Sequence, residues 1–218
     1  MPNHVATDES NASNALTLLP NCLYALLSYR GELGAWEWSF FLANIGKGGT
    51  LFYVKIITAN NSTHWKFEID ARDIVSSPEA VALVRLADIS DLGQYEEIEQ
   101  ALSPMFKVVA IPAANSIPLD FSSRSWFLDA IGMLHDCCVL HCDDVFLLER
   151  EIRRYAFSAM DKYLQNGGLL ATDVFDVPWE TYGSITRIYS LYCRKVLIVS
   201  CLQVCIDDFL YFGLCLRV

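Results

Sequence analysis

Positive charge is scarce in this 218-residue chain: 16 Lys and Arg stand against 26 Asp and Glu, a formal net charge of −10. Phosphate backbones are gripped by clustered Lys and Arg, so this balance argues against a nucleic-acid partner. The densest basic run, Arg150, Arg153 and Arg154, is interleaved with Glu149 and Glu151 on an expected helix. Such a run reads as a solvated, ion-paired face. An export signal is also missing: Met1 to Asn14 is polar, carries Asp8 and Glu9, and has no apolar core. The eight cysteines are therefore expected in a reducing, cytoplasmic setting, as small hydrophobes and not as a disulfide framework. In that setting the glycosylation-like triplets Asn11-Ala12-Ser13 and Asn61-Ser62-Thr63 carry little weight. No glycine-rich phosphate loop stands out either, because Gly46-Lys47-Gly48-Gly49 lies between two strands with no helix behind it. No cofactor is expected.

What the chain does have is apolar content, 53% against 19% charged residues, which places it among folded proteins. Its length suits one domain. Residues 1–19 read as a disordered leader, 20–185 as a single α+β domain, and 186–218 as an apolar tail. Strands are expected at Cys22–Tyr29, Trp36–Asn44, Leu51–Thr58, Thr63–Ile69 and Val81–Ile89, with short turns between the first four. Thr63–Ile69 alternates, with Trp65, Phe67 and Ile69 on one face and His64, Lys66 and Glu68 on the other. Short connections imply an antiparallel meander.

The period then becomes helical. Asp91 can cap a helix reaching about Leu102, and Pro104, Pro112 and Pro118 frame an irregular stretch after it. Ser122 or Ser123 caps the next helix, whose buried stripe is Trp126, Phe127, Ala130, Ile131 and Leu134. Asp143 or Asp144 caps the longest helix, which Gly167-Gly168 stops. Strands first and helices after them predict an antiparallel sheet of about five strands backed by two or three helices.

The tail holds four of the eight cysteines, and Val196–Leu216 is long enough to span a membrane. Asp207-Asp208 near its middle would cost about 3 kcal/mol each on insertion, which argues against a membrane anchor. A buried terminal element, or sequence translated past a misplaced gene end, are the other readings.

Three segments carry a resemblance: Cys22–Tyr29 followed by the Trp36-Glu37-Trp38 strand, the helix start Ser123-Arg124-Ser125-Trp126, and the acid-capped helix Asp143–Asn166. Together they resemble a large family of uncharacterised fungal proteins grouped as a domain of unknown function. Members show a His-Trp pair on the second strand and Cys-Arg-x-Trp at the helix opening. That order is similar to a circularly permuted papain-like layout, and it implies a fold and an ancestry but no reaction. A cysteine at a helix N-terminus gains a stabilised thiolate, and a facing histidine takes up its proton. The matching positions here are Ser123 and Glu37. A carboxylate near its ordinary pKa is a poor base for a hydroxyl. The resemblance therefore implies a pseudoenzyme, an intracellular domain that binds a protein or peptide between the second strand and the Ser123 helix. Trp36, Trp38, Arg124 and Trp126 would line that cleft. Glu37 would point to solvent or to Arg124. The alternatives are an atypical hydrolase using Ser123 with Glu37 or His64, and a membrane-associated protein held by its tail.

Other candidates have simpler readings. His64 fits an exposed residue on the polar face of its strand. His135-Asp136-Cys137-Cys138-Val139-Leu140-His141-Cys142 offers zinc-ligand chemistry, but no second Cys/His pair in the core completes a site. The aromatic set Trp36, Trp38, Phe40, Phe41, Phe52, Tyr53, Trp65 and Phe67 fits a core better than a cleft. The acids Asp88, Asp91, Glu96, Glu97 and Glu99 fit a helix start better than a cation site.

Overall fold

The apolar runs at Cys22–Leu27 and Phe40–Ala43 show no alternation because both faces of those strands are covered. The computed structural model describes residues 18–46, 48–59, 62–74, 76–113, 120–166 and 174–176. Five strands come first: β1 (Cys22–Tyr29), β2 (Trp36–Ala43), β3 (Gly48–Ala59), β4 (Ser62–Asp73) and β5 (Ala80–Asp88). Three helices follow, α1 (Tyr95–Val108), α2 (Ser123–Asp136) and α3 (Val145–Asn166), and then a short strand, β6 (Val174–Asp176). The sheet order is β4-β3-β2-β1-β5-β6. β1 to β5 pair antiparallel, giving the expected α+β arrangement. β6 was not foreseen, and it pairs parallel to β5. Residues 1–17 of the expected leader, the Gly167-Gly168 stop and the 186–218 tail lie outside the described residues. Leu18 is buried against the sheet.

All three helices pack on one face of the sheet. There, Leu23, Ala25 and Leu27 of β1, Trp38, Phe40 and Leu42 of β2, and Phe52 and Val54 of β3 meet Ile98, Phe106, Trp126, Phe127, Ile131 and Ile152. Phe40 sits at the centre, stacked on Phe127 at 4.3 Å and on Phe106 at 4.7 Å, with Trp126 edge-on at 5.8 Å. The opposite face carries a smaller cluster built from Leu18, Cys22, Tyr24, Leu26, Phe41, Leu51, Ile74 and Leu83.

Several helix boundaries differ from expectation. α1 begins after Gln94, not Asp91, and the Glu97 carboxylate accepts from the Gln94 N–H at 2.8 Å. It continues through Pro104 to Val108. Proline removes one helical hydrogen bond, but burial of Met105 and Phe106 against Phe40 and Phe52 holds the turn in place. α2 is capped by Ser122, whose Oγ accepts from Ser125 N–H while Ser125 Oγ accepts from Ser122 N–H. Asp144 caps α3 by accepting from Leu147 N–H at 2.9 Å. No helix of the described residues is long and apolar enough to cross a membrane.

Gly49 is fixed by close approach between strands. A Cβ there would overlap the Leu42 carbonyl oxygen and lie 2.6 Å from Phe41 Cζ, whereas at Gly48 the nearest atom is 3.7 Å away. Gly49→Ala should cost roughly 2–3 kcal/mol of folding free energy through overpacking, and Gly48→Ala under about 1 kcal/mol. Urea denaturation of the two variants checks the contrast, and equal midpoints would contradict it.

Candidate functional site

β2 and β3 part company midway along the sheet. Their ladder runs from Ala43↔Gly49 to Phe40↔Phe52 and stops, while β3 stays paired with β4 as far as Ala59↔Ser62. Beyond Phe52 a wedge opens between the two strands, and α2 places its first turn against it. The N–H of Trp38, which would otherwise face β3, donates to Ser123 Oγ at 3.2 Å. The Ser123 hydroxyl in turn lies close enough to the Glu37 carboxylate to help lower its pKa. Glu37 and Ser123 therefore meet, with Ser123 on the first turn of a helix. Ser123 is not the cap, however; that role is Ser122's.

Ser123 is 1% exposed. Its oxygen already accepts from Trp38 N–H, and its burial leaves an incoming carbonyl no path to it. Glu37 is bound on its other side by Arg30, with Nε 3.1 Å from Oε2. The Glu37–Arg124 contact weighed from the sequence does not form. Arg124 turns instead to α3, where its Nε and Nη2 meet the two oxygens of Glu149 at 2.7 and 2.6 Å. Glu149 is buried, also lies 3.5 Å from Arg153, and so does not belong to the solvated face read from the sequence.

The three tryptophans expected to line a cleft are packing groups: Trp36, Trp38 and Trp126 are 6%, 2% and 0% exposed. Trp36 packs edge-on against Phe157, Trp38 against Phe127, and Trp126 against Phe40 and Phe67. The helix side of the wedge is thus core. The accessible space lies on the other face of the sheet, as an open concavity of about 380 Å³ lined by Glu37, Arg30, Glu79, Ser39, Tyr53 and Lys55, among others. Trp65 borders it as well, and its indole N–H is buried without a hydrogen-bond partner.

His64 pairs with Ile57 toward the far end of the β3–β4 hairpin and is not among the partners of Ser123. The Cys/His segment forms the α2–α3 turn. His135 Nδ1 accepts from Cys142 N–H at 3.2 Å, and burial pushes the Cys142 thiol up to about 11. No group of three or more His, Cys, Asp or Glu among the described residues is placed to hold a metal ion. The acids near α1 serve locally: Asp88 accepts from the N–H and hydroxyl of Ser90, and Glu97 from Gln94.

Three features had weak or no signal in the sequence. Glu149 looked like its charged neighbours, although its place one turn before Arg153 and beside buried Leu148 could have flagged it. The partner Arg30 sits next to a turn glycine, with nothing to tie it to Glu37. The β2–β3 parting leaves no mark on either strand's pattern. Comparison of the chain with family models, curated proteins and solved structures finds no match in any of the three.

The half-buried Glu37 and the buried Glu149 respond oppositely to pH. Burial raises the Glu37 carboxyl above its ordinary value, Arg30 and the Ser123 hydrogen bond pull it partly back, and Glu79 adds to the rise. A raised acid binds its proton more tightly when folded, so its contribution to stability falls as pH rises from the ordinary value through the folded one. The Arg124 hydrogen bonds, followed by its charge, hold Glu149 below its ordinary value despite burial. Its contribution is complete above the ordinary value and is lost as pH falls through the folded one. Urea midpoints across acidic pH should therefore lose their acid-side drop in Glu149→Gln and their decline toward neutrality in Glu37→Gln. Identical pH profiles for the two variants would refute the assignment. Arg124→Ala at neutral pH should cost about 2 kcal/mol, below the usual loss for breaking a buried pair because Arg124 is itself half in solvent.

Proposed function

We propose that this chain is a non-catalytic binding domain that captures an extended peptide segment at the parting of β2 and β3, within a permuted papain-like layout whose reactive positions are held by Glu37 and Ser123. The observation that carries this reading is the burial of Ser123, whose hydroxyl oxygen accepts from Trp38 N–H and is closed off from solvent beside Glu37. The layout keeps a helix start facing a strand, but the pair fastens the two elements together and leaves nothing poised for chemistry. Its place in the fungal family rests on the segments Cys22–Tyr29, Trp36–Trp38 and Ser123–Trp126.

The peptide reading follows from backbone bookkeeping. In an antiparallel ladder the groups of alternate residues point to alternate sides. Trp38 N–H leaves β1 for Ser123, and Asn44 N–H reaches Gly48 O, so even-numbered β2 residues direct their backbone groups toward β3. The direct pair Phe40↔Phe52 then orients the even-numbered residues of β3 toward β2. Past Phe52, the N–H and C=O groups of Val54, Ile56 and Thr58 face the wedge with no strand opposite them. A free sheet edge beside a concavity is the setting for strand addition, in which main-chain bonds supply affinity and flanking pockets supply selection. Trp65 N–H, buried without a hydrogen-bond partner, and the Lys55 ammonium border the same space and are suited to a segment rich in acceptor oxygens.

The test is selection from a displayed library of random decapeptides, followed by titration of the selected sequence into the wild type and Ile56→Pro. Proline removes a donor on the wedge side while sparing the β4 ladder. Binding should fall by at least about tenfold, the loss of one or two well-made hydrogen bonds, with the circular dichroism spectrum unchanged. Selected peptides that bind the folded proline variant as tightly as the wild type would sink the proposal.

A further inference from the structure

α3 presents a second, largely exposed surface, which meets the core where Phe157 packs edge-on against Trp36. Phe146, Arg150, Arg153, Phe157, Asp161 and Leu164 recur at spacings of three and four, which places them in one stripe along the helix. All six are exposed; Phe146 is 71%, Phe157 51% and Leu164 52% accessible. Large apolar groups in line on a helix that already has its own buried face mark an interaction surface. The patch continues onto the β1–β2 turn. There Gly34, at φ +78°, lies against the Phe157 ring, and its neighbour Leu33 is 75% exposed.

The order of residues along this stripe is self-complementary. Positions equidistant from Tyr155 are exchanged when a helix packs antiparallel against its own copy about a two-fold axis. Phe146 and Leu164 stand nine residues either side of Tyr155 and would meet as an apolar pair at both ends of the interface. Arg153 and Phe157 stand two either side, so each guanidinium reaches the partner's ring near the axis. Arg150 and Asp161 stand five before and six after, so each arginine faces a carboxylate of the other copy. Neither Arg150 nor Asp161 makes an ion pair among the described residues; Glu149 and Glu151 are occupied by Arg124, Arg153 and Arg154. Apolar, cationic and acidic groups are thus matched by one symmetry operation, which a partner of unrelated sequence would meet only by coincidence.

We infer that the α3 stripe is a homodimer interface, in which a second copy of this chain packs its α3 antiparallel across a two-fold axis at the level of Tyr155, on the side of the helix opposite that side chain. The stripe reaches β2 at Trp36 through Phe157, whereas peptide capture uses the backbone edge of β3, so Ile56→Pro and the charge swap on α3 test the two separately. In a two-fold interface every pair occurs twice, and reversing one charge places two like-charged contacts in the interface.

Sedimentation equilibrium of the full chain, from the micromolar to the submillimolar range, tests the inference. The wild type should populate a dimer. Phe146→Glu should raise the dissociation constant by well over about tenfold, and Arg150→Asp or Asp161→Arg by about tenfold each. The double variant Arg150→Asp/Asp161→Arg should recover dimerisation close to the wild type, a readout that a mere folding defect would not give. All three positions are exposed, and unchanged circular dichroism spectra confirm that the variants fold. A wild type that stays monomeric, as it would if residues 177–218 of the same chain cover the stripe, overturns the inference. So does a dimer unaffected by Phe146→Glu, or a charge-swapped double variant no better than the singles.

Discussion

One backbone donor organises much of this molecule. When β3 leaves β2 after Phe52, the N–H of Trp38 loses the carbonyl that an uninterrupted ladder would offer it. A buried amide without a partner is costly, and Ser123 Oγ meets it from the helix side. That bond sets the height and direction of α2 over the sheet. With Ser123 fixed, Trp126 and Phe127 come down on Phe40, and Arg124 is carried out to the flank where Glu149 of α3 waits. Sheet, second helix and third helix are thereby joined through contacts of Ser123, Arg124, Trp126 and Phe127 at the start of α2.

The same arrangement sorts the half-buried Glu37 and the buried Glu149 into different states. Glu149 has a bidentate guanidinium and a second arginine nearby, enough to outweigh its desolvation. Glu37 has one arginine and one hydroxyl, with Glu79 close by, and desolvation prevails. The contrast is one of partner number and geometry, since both side chains sit largely out of water. It also fits their positions: Glu149 closes a helix–helix contact, whereas Glu37 stands at the lip of an open concavity.

The two edges of the β3–β4 hairpin are protected in different ways. Along β4 the outer edge carries Lys66, Glu68, Asp70 and Arg72, interleaved charges that discourage pairing with another sheet. The inner edge of β3 from Val54 to Thr58 has no such row on its backbone side; it is recessed beside β2 and the start of α2. A recessed edge admits one extended chain more readily than a whole sheet, which is why the binding reading centres there.

How much of this the chain spelled out depends on the range of the interaction. The five strands, the polar–apolar alternation of Thr63–Ile69, the buried stripe of α2 and the capped start of α3 could be read directly, because each is set by residues a few positions apart. The meeting of Glu37 and Ser123 was legible only as a matching pair of settings, 86 residues apart in the sequence. What depended on packing between distant segments stayed hidden, namely the Arg124–Glu149 pair and the continuation of α1 through Pro104. The choice of Ser122 over Ser123 as cap, and of core over cleft for Trp36 and Trp38, stayed open until the structure decided it. Local pattern fixes what a segment becomes, since propensity, capping and periodicity act within a turn or a strand. Only packing decides which buried polar group answers which, because that partner is chosen by proximity in space between residues far apart in the chain.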